Sequence, residues 1–215
     1  MEKYLRATEI IDINNRLITD KAFELTKNLS GEIEKATKIF YFVRDEIKYN
    51  PYVFGDRIEY YRASRTLEIG EGFCIPKAVL LVALARAVGI PARLYLTVIR
   101  NHLVPDKLSK LMGSDLFTHG YSELYIEGKW VKSTPAFDLK MCQKSRIVPV
   151  EFDGKNDAIF HSHNLDGELH IEYIQDYGHY DDFPFDEILN SLYELCGDDY
   201  FERLSCLIDE GRSGK

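Results

Sequence analysis

The apolar run Val79-Leu80-Leu81-Val82-Ala83-Leu84-Ala85-Arg86-Ala87-Val88 constrains this chain more than any other segment. It follows directly on Gly70-Glu71-Gly72-Phe73-Cys74-Ile75-Pro76-Lys77-Ala78 and runs out at Gly89-Ile90-Pro91. A helix over 74–88 accounts for this order, with a glycine loop leading in and Gly89 and Pro91 closing it. A helix that is apolar nearly all round has to be buried, so the rest of the fold is built around it. Cys74 then stands at its N-terminus, facing unsatisfied N–H groups and the positive end of the dipole, both of which favour thiolate over thiol. The same N–H groups can stabilise an oxyanion on a substrate carbonyl. The segment therefore suits a cysteine nucleophile, provided that a base lies elsewhere.

The apolar periodicity divides the remaining chain. Thr19-Asp20 reads as the cap of a helix over 21–29, and Ile33, Ala36, Ile39, Phe40, Val43 and Ile47 recur at helical spacing over 32–47. Ser30 to Ile33 forms only an incomplete capping box. A charged loop over 53–70 has room for a short helix near 63–67. Beyond Gly89 the period changes from 3.6 to 2, and strands are expected over 92–100, 119–126 and 129–132, the last two joined at Glu127-Gly128 by a turn that favours positive φ. A short helix around 107–111, strands near 146–152 and 169–174, and an acidic helical tail from Pro184 complete the reading. The expected organisation is a catalytic domain over 1–180 with a helical extension over 181–215 packed on it.

Charge and cysteine content exclude several classes. With 27 basic and 35 acidic side chains the net charge is −8, which disfavours nucleic acid and anionic membranes as partners because both require clustered Lys and Arg. The charged start Met1-Glu2-Lys3-Tyr4-Leu5-Arg6 lacks an apolar signal segment, and no apolar stretch has the length of a membrane span, so a cytoplasmic protein is expected. Four cysteines (Cys74, Cys142, Cys196, Cys206) without a C-x-x-C pair point to neither a disulfide framework nor a thiolate zinc site.

His119 is the candidate base for Cys74. Strand alternation places it on one face with Tyr121, Glu123 and Tyr125, and an imidazole in reach of the thiol would take its proton and later return it to a leaving amine. A third group should orient the ring through its other nitrogen. Thr134 and Asp138 both flank the end of the return strand, and both stay open for that role. Glu123 and Trp130 read as structural supports.

These residues resemble a known family. The pieces Gly72-Phe73-Cys74, Lys77-Ala78, Leu80-Leu81, Ala83-Leu84, Arg86-Ala87 and Gly89-Ile90-Pro91-Ala92-Arg93 are similar to the nucleophile segment of the transglutaminase-like superfamily. His119 with Glu123, Tyr125, Gly128, Trp130-Val131 and Pro135 resembles its histidine hairpin, over roughly residues 32–138 in all. The resemblance implies a papain-like α+β fold, a Cys-His-Asp triad of Cys74, His119 and Asp138, and acyl transfer to or from amides without a cofactor or metal. Family members commonly carry the third residue as an aspartate directly before the proline, and this chain has Thr134 there. The expected activity is attack of Cys74 on an amide or peptide bond of a protein, peptide or small amide, with water rather than an amine as acceptor. Two alternatives belong to other classes. One is a binding module that keeps the fold without the chemistry, and the other is a metal-dependent enzyme built on His161, His163 and His170 with Glu168.

Overall fold

Helix α4, Cys74–Ala87, is the centre of the molecule: from Ile75 to Arg86 every residue is buried. The computed structural model describes residues 1–53 and 55–213. Phe54 in the expected loop, the Leu207 side chain and the last two residues of the expected tail lie outside the described residues. Helices α1 (Arg16–Thr26), α2 (Glu32–Glu46) and α3 (Ala63–Ile69) pack against one side of α4. The other side lies on a four-stranded antiparallel sheet of β3 (Ala92–Asn101), β4 (Leu116–Ile126), β5 (Lys129–Ser133) and β6 (Ile171–Tyr180), in the order β5-β4-β3-β6. Two short parallel strands, β1 (Lys48–Tyr49) and β2 (Glu71–Gly72), fix the approach of the chain to Cys74. This is the α+β architecture expected of a transglutaminase-like, papain-like fold.

Local chemistry explains the boundaries. α1 begins earlier than Thr19-Asp20 suggests because Asn15 caps it, its side chain accepting the Leu17 N–H at 3.0 Å. At α2 the Gly31 N–H donates to Glu34 Oε2 at 3.3 Å, which supplies the reach-back half of a capping box. Glu127 and Gly128 both take positive φ, 48° and 89°, so the β4–β5 hairpin closes on the expected turn. Helix α5 spans Asp106–Met112.

Between β5 and β6 one expectation fails and one element appears that the sequence did not announce. Residues 139–145 form a helix, α6 (Leu139–Ser145), and 146–152 form no strand. Side chains take the place of a ladder there: Arg44 Nη1 donates to the Val150 carbonyl at 2.9 Å and the Tyr41 hydroxyl accepts the Phe152 N–H at 3.2 Å. Helices α7 (Phe185–Cys196) and α8 (Tyr200–Ser213) follow β6, with Ile188, Leu192 and Leu204 buried. α7 crosses β4, where the Thr118 and Ser191 hydroxyls meet at 2.6 Å. No helix among the described residues is long and apolar enough to cross a membrane.

Candidate active site

Close packing of main chain on main chain sets the position of Cys74. Alternation along β4 turns Thr118, Gly120 and Ser122 toward the helices, and the Ser122 hydroxyl donates to the Ala78 carbonyl of α4 at 3.0 Å. A Cβ on Gly120 would lie 2.9 Å from Ile75 Cγ1 and 3.4 Å from its Cα, so only glycine lets the strand pass this close to the start of the helix. The backbone N–H groups of Gly120 and Ile75 are thereby brought near the Cys74 sulfur, where they act to lower the thiol's pKa without forming a hydrogen bond of good geometry. Their dipoles favour thiolate, as the helix N-terminus leads one to expect. Desolvation outweighs them, however, and burial pushes the thiol up to about 11. Burial and the helix N-terminus thus act on the thiol in opposite directions.

His119 and Cys74 line one cleft of about 70 Å³ together with Tyr49, Phe73, Phe137 and Phe160. Leu192 of α7 and Tyr200 of α8 supply its far wall. The imidazole packs on the Phe160 ring at 4.7 Å between centroids, with Tyr121 at 6.1 Å and Tyr173 at 6.4 Å. Among the described residues neither ring nitrogen of His119 has a hydrogen-bond partner, and burial drives the ring down to about 3. At rest the site thus holds a neutral thiol and a neutral imidazole, neighbours in one cleft without a bond between them.

Asp138 is not placed against that imidazole. It caps α6, one carboxylate oxygen accepting the Met141 N–H at 2.9 Å and the other accepting the Tyr49 N–H at 2.9 Å. A short acidic residue directly before a helical segment is a capping signal readable in the sequence. Thr134 is buried with its hydroxyl beside the Tyr173 phenol, yet in no hydrogen bond of good geometry. Gly120 was the residue that sequence reasoning passed over, although a glycine inside a strand signals close backbone approach.

Supporting residues stand where their chemistry suggests. Arg93 Nε donates to Glu123 at 2.5 Å and its guanidinium lies 4.0 Å over the Trp130 ring, which itself packs on Tyr4 at 4.9 Å. Cys142 and Cys196 are buried in the core. The histidine cluster does not assemble: His161 and His163 are exposed, while His170 is buried beside Phe137 and Phe160. No group of three or more His, Cys, Asp or Glu side chains among the described residues is arranged to hold a metal ion.

Residues 19–135, more than half of the chain and both Cys74 and His119 with it, match the transglutaminase-like superfamily. The chain belongs to the transglutaminase-like superfamily. The matched region includes Thr134 and stops short of Asp138. Among solved structures, the fold is similar to that of a candidate cysteine protease from Cytophaga hutchinsonii, with a TM-score of 0.53 and 18% identity over 83% of this chain and 46% of that one. A candidate protease from Parabacteroides distasonis matches with a TM-score of 0.40 and 20% identity over 58% of this chain and 25% of that one. The chain thus spans less than half the length of either protein. Among curated proteins none matches it.

Proposed function

We propose that this protein is a cysteine hydrolase of amide or peptide bonds, with Cys74 as nucleophile and His119 as its base. The observation that carries this reading is that Cys74, at the start of the buried helix α4, and His119, on the adjoining strand β4, line one cleft. In the reaction the thiol gives its proton to a His119 ring nitrogen while sulfur bonds to the carbonyl carbon. N–H groups at the helix N-terminus stabilise the resulting oxyanion. Collapse breaks the C–N bond, the imidazolium returns the proton to the departing amine, and a thioester remains. Water, losing a proton to His119, then attacks the thioester and expels the sulfur, which recovers that proton. Substrate has to draw the ring and the sulfur together, since catalytic hydrogen bonds often tighten only in the bound complex. Hydrolysis is favoured over amine transfer because no carboxylate lines the cleft to hold a substrate ammonium.

The test is turnover of a panel of N-acylated amino-acid amides by the wild type and by Cys74→Ala, with thermal unfolding followed alongside. The substitution should abolish turnover by at least about a thousand-fold while leaving the melting temperature within a few degrees. Equal turnover by both proteins removes Cys74 from the chemistry. A binding role without turnover is the second reading, favoured by the unpartnered ring of His119 and by Asp138 being committed to the α6 cap. It predicts amide binding by both proteins and hydrolysis by neither.

A further inference from the structure

Beside the Cys74 cleft lies a second cavity, of about 240 Å³, that no step of the proposed chemistry uses. The two share Tyr49, Pro51, Asn101, Leu108 and Phe137 as walls, so a group bound in one adjoins a group bound in the other. Its remaining lining comes from Tyr52, Leu103, Pro105, Met141, Ser145 and Ile147. In a chain whose residues are 29% charged, no Asp, Glu, Lys or Arg lines either cavity. Asn101 is turned onto its own loop, its side-chain oxygen accepting the Leu103 N–H at 3.0 Å. Phe137 and Ile147 are its buried walls, and Lys107 stands over the Tyr52 ring at 5.7 Å without lining the space.

We propose that this cavity is the subsite for a bulky apolar side chain on the acyl residue of the substrate, the residue whose carbonyl Cys74 would attack. The assignment rests on the reading of Cys74 as nucleophile. Three arguments support it. The acyl part is the portion of substrate held at the sulfur through the thioester, and a space sharing walls with the sulfur's own cleft is within its reach. The volume is below the usual range for a whole small-molecule ligand and suits one large side chain. A charged side chain entering here would meet no charged partner on the walls, whereas an aromatic or long aliphatic one would pack on Tyr49, Leu108, Phe137 and Ile147. The substrate class is therefore an amide or peptide cleaved after a residue such as phenylalanine, leucine or methionine.

The experiment measures both binding and turnover. Cys74→Ala is titrated calorimetrically with N-acetyl amides of phenylalanine, leucine, glycine and aspartate, and the wild type is assayed with the same amides. Phenylalanine and leucine compounds should bind and turn over at least about ten-fold better than the glycine compound, in the range a hydrophobic pocket gives, and aspartate worst. Leu103→Arg, in the half-exposed loop at the mouth, should cut the preference for phenylalanine and improve aspartate by a similar factor. Turnover without any preference at the acyl residue, or a preference confined to the leaving-group side, overturns the subsite and leaves the cysteine chemistry standing. Apolar-selective binding by both proteins without turnover supports the cavity and overturns the hydrolase reading. Absence of both binding and turnover overturns the two together.

Discussion

Helix α4 carries two buried basic side chains, and a cluster of buried polar groups on the sheet side of the molecule is treated in the opposite manner. Lys77, wholly inaccessible, donates to the Arg44 and Ile47 carbonyls at 3.0 and 2.6 Å, closing the end of α2. Arg86 donates to the carbonyls of Ala92, Arg6 and Asp181 at 3.0, 2.8 and 2.8 Å, tying the helix to the first strand after it, to the N-terminal segment and to the end of β6. Around Phe160, in contrast, both nitrogens of His119, the Thr134 hydroxyl and His170 Nε2 are buried with no hydrogen-bond partner among the described residues. Buried polar groups in folded proteins are nearly always satisfied, so a concentration of bare ones beside a cysteine at a helix N-terminus marks groups kept for something other than holding the fold. Lys77 and Arg86 secure the scaffold, and the His119 side is kept at a cost in stability.

Breaking the satisfied side should have the largest effect. Arg86→Met strands three carbonyls and should lower unfolding free energy by about 3 kcal/mol or more, read as a shift of the urea midpoint. A loss below about 1 kcal/mol would mean that the three bonds do not hold these segments together. The bare side should respond to acid. Burial holds His119 down at about 3 and His170 at about 4, below the ordinary 6.5. Between those values and 6.5 the unfolded chain binds protons that the folded chain refuses, so stability is complete above pH 6.5 and falls as the pH drops. Each histidine contributes up to about 1.4 kcal/mol per pH unit in that window, and urea midpoints between pH 7 and 5 should show His170→Phe removing about half of the slope. The smallest effect belongs to Thr134→Val. With no hydrogen bond to lose, this substitution should change stability by no more than about 0.5 kcal/mol, or raise it slightly, and a cost above about 1 kcal/mol would reveal a partner for that hydroxyl.

What was legible in the sequence was local. The apolar run of α4, the helical spacing of α2 and the Glu127-Gly128 hairpin each follow from neighbours a few residues apart, and each stands as read. The segment 146–152 misled because its alternating apolar residues resemble a strand, while its backbone is held by Arg44 and Tyr41 from a helix a hundred residues earlier. Asp138 misled for a related reason: a carboxylate near the end of the hairpin is placed to orient His119, and only the structure shows both its oxygens taken by Met141 and Tyr49. The chemistry of Cys74 was half legible. Its helix N-terminus and the N–H groups there can be read from sequence order, but the burial that raises the thiol arises from the three-dimensional surroundings of the sulfur and has no local signature.

The contact between Gly120 and Ile75 has a consequence for redesign. That approach holds β4 against the start of the helix, while much of the cleft wall comes from other parts of the chain: Leu103, Leu108 and Met141 on one side, Leu192 and Tyr200 on the other. The walls can therefore be recut to accept new ligands while the reactive atom keeps its coordinates, and chains of this kind can diverge in what they recognise without having to rediscover where to attack.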